Sequence, residues 1–194
     1  MRKLIYIPII HTQTDMGTLS PRLEEEYIKK FGSDKWLKQK QTVEALWTEI
    51  ESRLNQLKTP IHKVYQDGLP VCGRELELTT ELASKGGRNH QIILRLVKQG
   101  AELLGTEDPK LLKEEYNTIT KNLGQGESPG EDYKKAVMEN LEKRDRFIAQ
   151  RINETLLPGE TGVLFMGLLH QVHTKLAKDI RVEPLSNHFK NEKE

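Results

Sequence analysis

The chain has one cysteine among its 194 residues, Cys72. A single thiol excludes an internal disulfide, and the lack of a Cys cluster excludes a structural zinc site. A reducing cytoplasm is the simplest compartment for such a sequence. There is no excess of charge of either sign: 30 basic against 29 acidic residues, a net of +1. No nucleic-acid partner and no membrane-surface partner is therefore expected. Long hydrophobic runs are missing too, since none approaches the ~20 residues that span a bilayer. Met1-Arg-Lys ahead of Leu4–Ile10 has the charge order of a signal peptide, yet His11-Thr-Gln-Thr-Asp15 replaces the small-residue cleavage site. No Gly-x-Gly-x-x-Gly, Walker loop, His-x-x-x-His or His-Glu-x-x-His occurs, and residues 162–167 carry no serine for a hydrolase elbow.

What is present is a chain long enough for one sizeable core, with 30% charged residues and a mean hydropathy of −0.64. Two stretches stand out. Thr161-Gly-Val-Leu-Phe-Met-Gly-Leu-Leu-His170 is an apolar run of strand length, then a small turn, then a histidine. Leu4-Ile-Tyr-Ile-Pro-Ile-Ile-His11 echoes it near the N-terminus. Both runs alternate little, as expected of parallel strands covered on both faces. Pro8 cannot donate to a ladder, which predicts an edge position or a bulge for the first strand. Further short strands are expected at 61–65, 101–104 and 180–182. Helices are expected from Ser20-Pro21 to Gly32, from Ser33 or Asp34 to about Lys58, over 74–84, 89–98 and 109–123, and from a Ser128/Glu131 capping box to about Leu157. Strands separated by helices predict an α/β fold, a mainly parallel sheet of four to five strands flanked by helices. It forms a single domain over 1–186 with a polar tail at 187–194.

In open parallel sheets, ligands sit outside the carboxyl ends of the strands. His11 and His170 would face one such crevice, although each could also simply close its strand. Acids near strand ends add to the set: Asp67 after the second strand, Glu107 and Asp108 after the third, and Asp15 in the loop beyond His11. Asp67-Gly68 also reads as a plain turn, and Asp108 before Pro109 as a helix N-cap. On the long helix, the apolar stripe Val137, Leu141, Ile148 and Ile152 puts Arg144 about 50° from its centre and Arg146 about 150° away. Arg144 therefore points toward the core and implies an acidic partner or a bound anion, unless its stem snorkels outward. Asp145 lies at the other edge of the stripe. His173 forms a His-x-x-His with His170, while His62, His90 and His188 have no evident partners. Gly86-Gly87 ahead of a helix reads as a turn or an anion cradle.

Arg144-Asp-Arg-Phe-Ile-Ala149 resembles the Arg-Asn-x-x-Met-Ala helix of the TraB/TIKI family, and Gly167-Leu-Leu-His170 is similar to its second Gly-x-x-His motif. His11 resembles the histidine of the first such motif. The order of strand-His, helices, acid, Arg helix and strand-His matches over most of the chain. The wider superfamily includes erythromycin-esterase-like and ChaN-like proteins. The resemblance implies an α/β fold with a crevice shared by the two histidines, the arginine and carboxylates, and metal-dependent hydrolysis, with peptidase activity in TIKI members. Three positions depart from it: Pro8 replaces a glycine, Asp67 stands for a Glu-x-Asp, and Asp145 stands for asparagine.

Two functional readings follow. In the first, the chain is a hydrolase acting on a small molecule or a peptide. His11, His170, Asp67 and Glu107 hold a divalent metal (manganese, cobalt or zinc), or His11, His170 and Glu107 act as acid and base. Arg144 orients a carboxylate or stabilises an anionic intermediate. In the second, the same fold is a binding module for an anionic ligand or a peptide end, or a scaffold whose site has decayed. The pattern names no substrate and sets no oligomeric state.

Overall fold

The computed structural model describes residues 1–9, 20–122 and 130–185. Five parallel strands form one sheet in the order β3-β2-β4-β1-β5. They are β1 (Arg2–Ile9), β2 (Lys63–Gln66), β3 (Glu102–Leu104), β4 (Thr161–Gly167) and β5 (Ile180–Pro184). Among the described residues, six α-helices join them: α1 (Ser20–Phe31), α2 (Ser33–Gln56), α3 (Glu75–Ser84), α4 (Arg88–Lys98), α5 (Pro109–Asn122) and α6 (Glu131–Thr155). This is the α/β arrangement expected from the alternation of apolar strands and helices. Among the described residues, no helix is long and apolar enough to cross a membrane.

Side-chain alternation sorts the strand residues onto two faces. Ile5, Ile7 and Ile9 of β1, Val64 of β2 and Val163 and Phe165 of β4 pack against Trp47, Ile50 and Leu54 of α2 and Ile92, Ile93 and Leu96 of α4. Leu4, Tyr65, Leu164 and Met166 point the other way, onto Ile148, Ala149 and Ile152 of α6. The sheet is thus buried between two helical layers, which is why β4 is buried at every position. Leu37, separated from the rest of the α2 stripe by a gap, lies outside this core and is exposed.

Two local expectations change. Pro8 lies neither at an edge nor at a bulge: β1 is flanked by β4 and β5, and its register with β4 runs unbroken through Pro8↔Met166. The reason is parity. The Lys3 N–H faces β4 and the Arg2 N–H faces the β5 side, so odd residues donate toward β4 and even ones toward β5. Pro8 is even, and pairing with β5 stops at Tyr6↔Pro184. The missing donor therefore falls where no ladder bond is required. At α4 the helix begins at Arg88, and Asn89 is buried within it instead of capping it. The capping-box residue Ser128 lies outside the described residues.

Candidate functional site

Asp67 follows β2, Glu107 follows β3, and His170 follows β4, so all three stand at the carboxyl ends of the strands. α6 packs along one face of the sheet, and its Arg144 and Asp145 reach these ends. The expected helix phase is observed: Arg144 is 4% exposed, whereas the Arg146 side chain is 73% exposed and pairs with Glu142 one turn away.

Three local devices place the acids and the histidine. Asp67-Gly68 is indeed a turn, with Gly68 at φ 76°, a conformation that favours glycine. The turn does not take Asp67 out of the site; it ends the strand so that the carboxyl sits against the sheet. There Asp67 Oδ2 accepts the Gly167 N–H at 2.9 Å. Glu107 is fixed through its backbone, whose N–H donates to the Leu69 carbonyl at 3.0 Å and whose carbonyl accepts the Val71 N–H at 2.9 Å. The neighbouring Asp108 caps α5, as expected, by accepting the Lys110 N–H at 2.7 Å. His170 closes the Gly167-Leu-Leu-His turn with its own N–H, which donates to the Gly167 carbonyl at 3.2 Å. Leu168 and Leu169 form the corner and stand 67% and 76% exposed.

Arg144 joins these groups. Its Nε donates to Glu107 Oε2 at 3.1 Å, Nη2 to Glu107 Oε1 at 2.6 Å and to Asp67 Oδ1 at 2.9 Å, and Nη1 to Glu115 Oε1 at 2.6 Å. The guanidinium is committed to three carboxylates of its own chain. Burial works against its charge, but the hydrogen bonds and charge of Glu107, with those of Asp67 and Glu115, outweigh that and raise its pKa.

Beside Arg144, Asp145 holds the histidine. The His170 Nδ1–H donates to Asp145 Oδ1 at 2.5 Å, and the Gln171 N–H donates to Asp145 Oδ2 at 2.8 Å. Nε2 lies 3.5 Å from Asp67 Oδ2; in the neutral ring, with the Nδ1–H held by Asp145, it is the nitrogen that carries the lone pair. Burial alone would lower the His170 pKa, but the bond to Asp145 and the charge of Asp67 override it, and the pKa is raised. Glu107 is wholly buried. Desolvation pushes its pKa up against the opposing pull of Arg144.

One ligand atom each from Asp67, Glu107 and His170 fall within 4.8 Å of one another. Four acidic side chains (Asp67, Glu107, Glu115 and Asp145) face one guanidinium and one imidazole, a formal acidic excess even with the histidine protonated. A cation relieves that imbalance, and the donor set of two carboxylates and an imidazole with an oriented tautomer suits a divalent metal. The group opens into a pocket of about 460 Å³ walled by Leu112, Ile119, Leu141, Leu168 and Leu169.

Of the residues singled out from sequence, Asp67, Glu107, Arg144, Asp145 and His170 are brought together. His11 and Asp15 lie outside the described residues. β1, which leads to His11, pairs in parallel with β4 and ends with Ile9 opposite Gly167. His173 is exposed on a 3-10 turn (Val172–Lys175), edge-on to the Tyr6 ring at 6.4 Å. The His62 Nδ1 accepts the Thr161 N–H at 3.1 Å near the start of β4, at the far end of the sheet. Glu115 escaped the sequence reading. It belongs to α5, a helix with no buried residue, and nothing in its spacing separates it from its solvated neighbours. Compared with known proteins, the chain matches no family model, no curated protein and no solved structure.

Proposed function

We propose that the chain is a divalent-metal-dependent hydrolase of the TraB/TIKI-like kind that its Arg144 helix and Gly167-Leu-Leu-His170 turn resemble, acting on a small molecule or a peptide. Asp67, Glu107 and His170 are the ligands. The observation that carries this reading is the His170 ring: Asp145 holds its Nδ1, and its free Nε2 lies beside the Asp67 carboxylate. That is the arrangement of a metal-ligating histidine whose tautomer is fixed by a second carboxylate. A divalent cation bound there supplies Lewis acidity and an acidified water at neutral pH.

The protein's own groups have distinct tasks. Asp145 orients the imidazole. Arg144 holds Asp67 and Glu107 in register and offsets part of their mutual repulsion. Its donors are so fully engaged that it has little left for an incoming anion, which weighs against a module built to grip an anionic ligand. The exposed leucines and the half-buried wall of the pocket offer apolar contact to the substrate.

Calorimetric titration of manganese, cobalt and zinc into metal-free protein tests the proposal. At least one ion should bind well below millimolar concentration, and His170→Ala should weaken that by about 10- to 100-fold or more while a melting transition remains. A wild-type protein that binds none of the three below millimolar concentration overturns the metal-hydrolase reading.

A further inference from the structure

Glu115 is the member of the Arg144 group that reaches the opening of the pocket above His170. Its side chain is 33% exposed, against 1% for Asp67 and none for Glu107. Its Oε1 accepts from Arg144 Nη1 at 2.6 Å, and its Oε2 makes no hydrogen bond among the described residues. Arg144 does not need this third acid to stay buried. Glu107 already takes its Nε and Nη2 as a fork, and Asp67 shares Nη2. The surroundings of Glu115 are aliphatic: Leu112 and Ile119 of its own helix, Leu141 of α6, and Leu168 and Leu169 of the turn after β4. Among the described residues no lysine lines this pocket, and its one arginine is committed to carboxylates. A reachable carboxylate in such a wall is only partly solvated, so a cation with an apolar body gains from both.

We infer that Glu115 determines specificity in this pocket: it receives a primary ammonium, while the leucines and Ile119 receive an aliphatic side chain carried beside it. That pairing is the chemistry of a peptide's free amino end when its first residue is aliphatic. The inference rests on the hydrolase reading for its role, since it names the class of substrate brought to His170. The layout agrees with that role. One guanidinium holds Glu115 by Nη1 and the Asp67 and Glu107 carboxylates by Nη2 and Nε, so the recognised ammonium sits one side chain away from the ligand group. Leu168 and Leu169, 67% and 76% exposed, lose water contact when an aliphatic side chain covers them.

The test adds three probes to the metal-free full chain and follows protein amide shifts by NMR at about pH 6, where an α-ammonium stays protonated. Leucinamide has the charge and the side chain, N-acetyl-leucinamide lacks the charge, and glycinamide lacks the side chain. Leucinamide should shift Glu115, Ile119 and Leu169, and bind about fivefold tighter than N-acetyl-leucinamide and about tenfold tighter than glycinamide. Glu115→Gln keeps an oxygen for Arg144 and removes the charge. It should bring leucinamide down to the affinity of N-acetyl-leucinamide and leave the latter unchanged. Leu169→Ser, at an exposed position, should narrow the gap between leucinamide and glycinamide. Equal binding of the charged and acetylated probes to the wild type overturns the inference, and that comparison stands even if a variant fails to fold. So does a Glu115→Gln protein with undiminished leucinamide affinity, because Glu115 then serves Arg144 alone. His170→Ala should keep the preference for the charged probe; its loss there would put the ammonium among the metal-ligand candidates and overturn the inference too. The assay needs neither metal nor turnover. Metal binding without the ammonium preference therefore sinks this specificity alone, and the preference without metal binding sinks only the hydrolase reading.

Discussion

Asp145 and His170 are 25 positions apart in the chain and 2.5 Å apart in the fold. The contact depends on adjacent residues of α6 pointing about 100° apart. Arg144 reaches the ends of β2 and β3, and Asp145 reaches the turn after β4. One helical turn thereby ties three strand ends together, and the Asp145 bond helps raise the pKa of the histidine.

Replacing Asp145 with asparagine keeps the shape and removes the charge. The His170 pKa should fall, because burial then meets less opposition. Proton NMR titration of the His170 ring is the measurement. An unmoved midpoint would mean that Asp145 does not set it.

The stability of the metal-free protein should decrease as the pH rises. Both His170 and Glu107 have pKa values raised above their ordinary 6.5 and 4.5, so each binds its proton more tightly in the folded state. Their stabilising contributions are complete below those ordinary values and are lost as the pH climbs through the raised ones. Metal affinity should run the opposite way, since the ligands must shed the same protons. Melting curves from pH 5 to 9 should show the decline without metal and its cancellation with it; a flat metal-free profile would contradict the assignment.

Arg144→Ala should cost about 3–5 kcal/mol in urea unfolding, because it leaves Asp67 and Glu107 buried without their counter-charge. Arg144→Lys should recover only part of this, since an ammonium cannot make the same fork of contacts. Arg146→Ala, on the exposed side of the same helix, should stay within about 0.5 kcal/mol of wild type.

Gly105→Ala should damage the site through the backbone. A Cβ there would sit 2.7 Å from the Pro70 carbonyl oxygen and 2.8 Å from the Val71 Cα. The loop after β3 would have to move away from residues 70–71, carrying Glu107 out of reach of Arg144. Metal affinity should fall by about tenfold or more, at a stability cost of about 1–3 kcal/mol. An alanine variant with wild-type affinity would show that Glu107 is not held by this close approach.

The parts of the site legible in the sequence were those with a periodicity behind them. The phase of Arg144 follows from four apolar residues of its own helix, and the position of His170 from an uninterrupted apolar strand. Asp67 was ambiguous because a turn and a site acid can fall on one residue, and here it both makes the turn and joins the buried cluster around Arg144. Glu115 was not legible, because it acquires its role only from Arg144, 29 positions away. The sheet was legible in its class but not in its order, since residue patterns do not say that β4 inserts between β1 and β2.

That insertion governs when the molecule can assemble. β4 is the fourth strand to leave the ribosome, yet it is the strand on which both β1 and β2 pair. Until residue 167 has been made, β1 has neither of its partners and β2 has only the short edge strand β3. A nascent chain halted before Thr161 should therefore remain protease-sensitive throughout, with no folded intermediate built on half a sheet. Because Gly167 brings the N–H that Asp67 accepts, the step that closes the sheet also completes the Asp67 end of the Asp67, Glu107 and His170 group, and no chain can assemble that group before it assembles the sheet.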